Sequence, residues 1–210
     1  MKRIITILVV CALFISSISS VSATTIEQSE SSSQSIEGAE TNYDFKTFKW
    51  GDTREHVIEI EGEPVMDGDM DGLEASYIVY STTVVGVEVL LAYYFCSDGL
   101  FQVRHVSTEE HSKESLYIDD YNQIKKVLTR KYGETSLDFE NWDSDSHKSY
   151  YANKKGDALC YGFLTYSTWW KTDTSLIVME MDADNYDINT TITYESLEIS
   201  AKERDFSDSF

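Results

Sequence analysis

Apolar residues recur at helical spacing in two stretches of the chain. From about Thr53 to Glu61, Val57 and Ile60 share a face, and Asp52 with Glu55 has the spacing of a reciprocal capping box. Gly62 and Pro64, the only proline, close this short segment. The second helix is longer. Asp119 or Asp120 caps it, Tyr121, Ile124, Leu128 and Tyr132 form one stripe, basic residues gather toward its end, and Gly133 stops it.

Between and after these helices the pattern changes to strand-like runs. Residues 65–72 read as a Gly/Asp loop, followed by strands over 75–83, 84–95 and 100–106. Ser97-Asp98-Gly99 between two apolar runs marks a hairpin. Further strand-like runs lie at 149–153, 158–166, 175–181 and 190–194.

The two helices have similar surroundings. Each is followed by glycine and glutamate, then an acidic loop, then about three strands. Trp50 and Tyr121 stand at one distance before their glycines, and Val57 and Leu128 at another. The expected fold is therefore α+β: two helix-plus-antiparallel-meander units, αβββ twice, with the helices packed on antiparallel sheet. Residues 43–115 would form the first unit and 116–200 the second. A polar Ser/Glu/Gln tract at 24–42 reads as a spacer, and 201–210 as an acidic tail.

The N-terminus gives a cellular address. Lys2 and Arg3 precede an apolar run from Ile4 to Ile15, and small residues end at Ala23, as in a secretory signal peptide. Cys11 lies inside that run and lacks the small residues that lipoprotein processing needs before the cysteine. The expectation is a chain secreted or held at the cell envelope after cleavage near Ala23, with no membrane span in the mature part.

The sequence holds 17 basic and 37 acidic residues, and without Lys2 and Arg3 the balance is 15 against 37. Such a charge repels nucleic acid and leaves cations, neutral ligands and basic proteins as partners. Cys96 and Cys160 remain after cleavage. They can form one disulfide in an oxidising compartment or stand as two thiols packed as small apolar groups.

Trp50, Gly51, Thr53, Val57, Gly62 and Pro64 make an aromatic approach, a Gly-x-Thr helix opening and a Gly-x-Pro stop. Residues 48–64 so resemble small envelope lipoprotein domains of the SmpA/OmlA type and the related tandem fold of the β-lactamase inhibitor protein. A loose second copy lies near 119–135. The resemblance implies helices on antiparallel sheet in tandem units and a non-enzymatic envelope or extracellular role. His56 replaces the acidic residue that the family often carries after the threonine, and one cysteine lies in each half rather than a pair within one unit.

Candidate chemistry is sparse. Asp67, Asp69 and Asp71 match the opening of a calcium loop, D-x-D-x-D-G, although Ile78 stands where a bidentate glutamate belongs. Asp182, Asp184 and Asp187 form a second acidic cluster. The histidines do not have zinc-hydrolase spacing, and neither a nucleophile elbow nor a Gly-rich phosphate loop occurs. Trp169-Trp170 reads as part of a turn-like stretch; if it is extended, the two rings point to opposite faces, and an exposed one suits protein or sugar contact. The leading expectation is a non-catalytic, protein-binding or inhibitor-like module for an unidentified partner, a basic one fitting the charge. The alternatives are a calcium-binding extracellular domain and a polysaccharide or cell-wall hydrolase.

Overall fold

Eight strands hydrogen-bond into one antiparallel sheet: β1 (Met66–Asp69), β2 (Ser76–Val84), β3 (Val87–Cys96), β4 (Gly99–Ser107), β5 (Leu137–Trp142), β6 (Leu164–Lys171), β7 (Ser175–Asp184) and β8 (Asp187–Ser196). Their spatial order is β1-β2-β3-β4-β8-β7-β6-β5, so sequence neighbours pair everywhere except at the β4–β8 seam. Among the described residues four helices accompany them: α1 (Arg54–Glu61), α2 (Glu114–Tyr132), α3 (Asp145–Tyr150) and α4 (Lys155–Cys160). The computed structural model describes residues 43–70 and 74–200, all within one compact unit. The expected signal peptide, spacer and acidic tail lie outside these residues, as does Asp71. Among the described residues no helix is long and apolar enough to cross a membrane.

The α+β class with helices on antiparallel sheet is as expected. Four strands follow each of α1 and α2, where three were expected. The extra ones are the edges. The Gly/Asp stretch after Pro64 becomes β1, held by its ladder to β2 from Met66↔Val79 to Asp69↔Ser76. β5 is hidden in sequence because Asp138 and Glu140 occupy every second position. Lys125 Nζ reaches Asp138 at 2.5 Å and Lys155 Nζ reaches Glu140 at 2.6 Å. Partial burial works against the Glu140 charge, but hydrogen bonds from Lys155 and Trp142 and the nearby lysine charges together outweigh it and hold the carboxyl below its ordinary range.

Three further expectations are corrected. The aromatic run at 149–153 completes α3 and the turn after it, and the first part of 158–166 is α4. α2 starts at Glu114, ahead of the expected Asp119 cap, and Lys113 at its N-cap makes no side-chain bond. Tertiary contact replaces the cap: His111 N donates to Tyr117 Oη at 3.0 Å, and Tyr121 Oη lies 2.8 Å from Thr168 Oγ1 on β6. α1 is capped by Thr53, whose hydroxyl accepts from His56 N at 3.2 Å.

The core lies between α1, α2 and α4 and one face of the sheet. Strand alternation places every second residue there, in rows that run from strand to strand. One row is Ile78–Tyr93–Val103–Tyr194–Ile177–Trp170. A parallel row contains Leu91–His105–Ile192–Met179–Thr168. Val57 of α1 and Tyr121, Ile124 and Leu128 of α2 pack on them, so the helical stripe read from sequence is the buried one. Tyr93 Oη donates to Glu61 Oε1 at 2.6 Å, which ties the end of α1 to β3.

The approach to α1 docks backbone to backbone on the β3–β4 hairpin. Gly51 N donates to Leu100 O at 2.9 Å, and Leu100 N donates to Asp52 O at 2.8 Å. A Cβ on Gly99 would overlap the Gly51 carbonyl, and Gly99 has φ +93°. The Trp-Gly opening is thus a close-approach joint, with Trp50 Nε1 donating 2.9 Å across to Ser175 Oγ on β7. Gly99→Ala is expected to cost about 2–3 kcal/mol, from the left-handed conformation plus the clash, measured by urea denaturation.

His105 lies in the core beside the rings of Phe45 and Tyr194, each with its centroid 5.7 Å away. Burial first, then the charges of Lys46 and Lys131, push its imidazole down to about 4. The unfolded chain takes up this proton near pH 6.5. Stability from the neutral ring is therefore complete above pH 6.5 and is lost as pH falls toward 4, about 3 kcal/mol in all. His105→Leu should flatten the stability profile between pH 4.5 and 6.5. An unchanged slope in pH-dependent denaturation would show that His105 is not its source.

Candidate functional site

The sheet's second face, opposite α1, α2 and α4, takes the alternate residue of every strand. Trp169 belongs to it, one position from the core residue Trp170, because both lie inside β6 and not in a turn. The row through Trp169 is Leu137–Trp169–Val178–Thr193–Arg104–Ala92–Val79. The next row holds Phe139, Ser167, Glu180, Thr191, Val106 and Leu90.

This face has two characters. On the β2–β4 side Val79, Ala92, Tyr94, Arg104 and Val106 are buried. On the β5–β7 side the apolar residues face solvent, with Leu137 48 % and Phe139 46 % exposed and Trp169 and Val178 half-buried. Two cross-strand steps, Leu137 to Trp169 and Trp169 to Val178, join three of them into a continuous patch. Trp169 Nε1 donates to Ser167 Oγ at 2.7 Å, and its carbonyl accepts from Ser136 N at 2.8 Å, so the ring is fixed at both the side chain and the backbone.

An acidic stripe borders the patch. Glu180, Asp182 and Asp184 occupy alternate positions of β7 on this face, about 7 Å apart by strand geometry. Desolvation against the sheet, then the charge of the next carboxylate along the strand, raises the carboxyls of Glu180 and Asp182 above their ordinary range. Arg104 and a hydrogen bond from Ser167 only partly relieve Glu180. Arg104 also donates from Nε to Thr193 Oγ1 at 3.2 Å and lies 5.9 Å from the centre of the Tyr94 ring. A row of crowded carboxylates beside an apolar patch has unsatisfied electrostatic demand that an arriving cation would meet.

The other sequence candidates are dispersed. Asp67 lies on the core side of β1 and pairs with Arg54 Nη2 at 2.6 Å, which fastens α1 to the edge strand. Asp69 shares that side two residues on, and Asp71 lies outside the described residues. Among the described residues no group of three His, Cys, Asp or Glu side chains is placed to hold a metal.

Cys96 and Cys160 form no disulfide with each other and lie at the ends of different elements. Cys96 Sγ ends β3 near Gly99 O, whereas Cys160 Sγ ends α4 near Tyr186 O, each at 3.7 Å. Of the histidines, His111 Nε2 lies 2.6 Å from Asp120 Oδ2, His147 Nδ1 lies 2.8 Å from Asp143 Oδ1, and His56 stands on α1 near Asp52 and Glu59. Asp187 closes the β7–β8 turn opposite Asp184.

Reading the Trp pair from sequence found one member of the patch. It missed Leu137, Phe139, Val178 and Glu180. The available signal was the alternation Leu137-x-Phe139, obscured by the carboxylates between. No protein-family model, curated protein or solved structure matches this chain.

The two tryptophans should separate in denaturation experiments. Trp170→Ala removes a fully buried indole and is expected to cost about 3–5 kcal/mol. Trp169→Ala, on the solvent side, should cost no more than about 1 kcal/mol.

Proposed function

We propose that this protein is a non-catalytic interaction module, secreted or held at the cell envelope, that binds a basic protein through the exposed strip of β5–β7. The observation that carries the reading is one juxtaposition on one face: the apolar patch of Leu137, Phe139, Trp169 and Val178 beside the carboxylates of Glu180, Asp182 and Asp184. An apolar centre gives affinity through burial, with a fixed tryptophan as its anchor. The acidic border selects lysine- or arginine-rich partners and speeds encounter, in keeping with the chain's net charge of −20. The signal-peptide pattern of residues 1–23 supports the location, and the resemblance of residues 48–64 to envelope and inhibitor domains supports a binding role.

The same reading takes the chain as two related units, α1 with β1–β4 and α2 with β5–β8. Both helices stop at a glycine with nearly the same backbone, φ 88° at Gly62 and 85° at Gly133, and each glycine N–H bonds back to the residue four earlier. The strand order mirrors itself about the seam, which supports two units joined through their last strands.

The test is capture from culture and envelope extracts with wild-type, Trp169→Ala and Phe139→Ala baits. The expected result is a basic protein held by wild type, released by salt and bound at least tenfold more weakly by either variant, about 1.4 kcal/mol. Equal retention by the variants would overturn the assignment of the strip. Absence of any partner, together with enzymatic turnover by the purified protein, would overturn the module itself.

A further inference from the structure

At the far end of the second half, on the helix side of the sheet, lies a cleft of about 510 Å³ that the proposed strip does not use. Tyr151, Tyr161, Phe163 and Tyr186 supply its rings, with Cys160 and Asn185 completing the wall. The rings brace one another. Tyr161 meets Tyr186 edge-on at 6.0 Å and Phe163 at 5.9 Å, and Tyr151 lies 5.7 Å from Phe163. His147, held by Asp143, stacks on the back of Phe163 with centroids 3.8 Å apart.

Tyr186 is held in place against its own backbone preference. Asp184 pairs with Asp187 across the β7–β8 turn, leaving Asn185 at φ 51° and Tyr186 at φ 70°. A two-residue turn of this kind favours glycine at the second position, and a large ring there is strained. The fold gains little in return, since Tyr186 is 69 % exposed. A strained, exposed aromatic at the mouth of a ring-lined cleft points to a ligand.

The charge around the cleft indicates which ligand. Burial, followed by the charges of Glu114, Asp157 and Asp187, holds the Cys160 thiol above its ordinary range, so the wall lies in a negative field. That field also argues against a reactive thiolate at this position. Aromatic faces under negative potential favour organic cations over neutral sugars. One ring of the surrounding cluster already receives an ammonium group, with Lys154 Nζ 5.9 Å from the centre of Tyr150.

We infer that this cleft is a second binding site, which takes the ammonium or guanidinium end of a lysine or arginine side chain from a basic polypeptide. It opens on the helix side of the sheet, opposite the β5–β7 strip, and the two sites have separate variants.

The experiment titrates the full chain with tetra-arginine and tetra-lysine peptides, with affinity read by calorimetry and tyrosine ring shifts by NMR. Cellohexaose and tetra-glutamate serve as controls. Tyr186→Gly and Tyr161→Ala leave the net charge unchanged, and each should weaken binding of the basic peptides at least tenfold. Tyr186→Gly should at the same time raise Tm by about 3–5 °C, because it relieves the turn. Trp169→Ala should leave this affinity intact, so the cleft can stand or fall without the strip. Equal affinity in wild type and both tyrosine variants would show attraction to net charge alone and overturn the site. Binding of cellohexaose in place of the peptides would overturn the cation assignment.

Discussion

The β4–β8 ladder is the constraint on which the rest of this fold depends. It is five residue pairs long, from Gln102↔Glu195 to Val106↔Thr191, and it joins the last strand of one half to the last strand of the other. Every row of side chains that crosses the sheet passes through it. On one face it carries Val103, His105, Ile192 and Tyr194 into a core shared by both halves. On the other it sets Arg104 beside Thr193, and so fixes how the buried β2–β4 side meets the exposed β5–β7 side. A slip of one residue at this ladder would exchange the two faces of half the sheet and send core residues into solvent.

Around that seam the molecule distributes charge unevenly. Carboxylates near the helices are neutralised: Glu61 by Lys46, Asp67 by Arg54, Asp138 by Lys125 and Glu140 by Lys155. Burial opposes the Glu61 charge, but hydrogen bonds from Lys46 and Tyr93 overcome it and keep that carboxyl below its ordinary range. The stripe on β7 is treated differently, since Glu180 and Asp182 shift the other way. Acidity in this chain therefore has two uses. One part fastens helices and edge strands, and the other keeps a mutual repulsion that Arg104 and Ser167 relieve only in part.

Sequence revealed those elements whose signal is local. The stripe of α2 and the turn at Asp98-Gly99 are written within a few residues and appear where the pattern placed them, whereas the α1 cap falls on Thr53, one residue after the expected Asp52. The edge strands were hidden because their residues do not favour extended structure by themselves. Asp67-Gly68-Asp69 is extended because β2 supplies a partner, and Leu137–Trp142 because two lysines distant in sequence neutralise its carboxylates. α4 was obscured by Gly156, which the helix keeps because a Cβ there would press on the backbone of Ser115 in α2. The candidate strip was legible only through Trp169. Its other members reach that residue through cross-strand register, which no local window contains.

All other strand pairings in the sheet link neighbours in sequence, whereas the seam joins residues 102–106 to residues 191–195. The neighbouring pairs are joined by short turns or, between β5 and β6, by the segment that holds α3 and α4, but closing the seam means bringing together segments separated by most of a domain. Seam closure therefore spans the longest sequence separation of any pairing in the sheet, and residues 191–195 of β8 must be present before it can occur. A chain cut short within β8 would keep most of its local structure yet leave β4 as an unpaired edge in the middle of the intended sheet. Completeness at the C-terminal strand therefore decides between one closed sheet and two half-sheets with exposed edges.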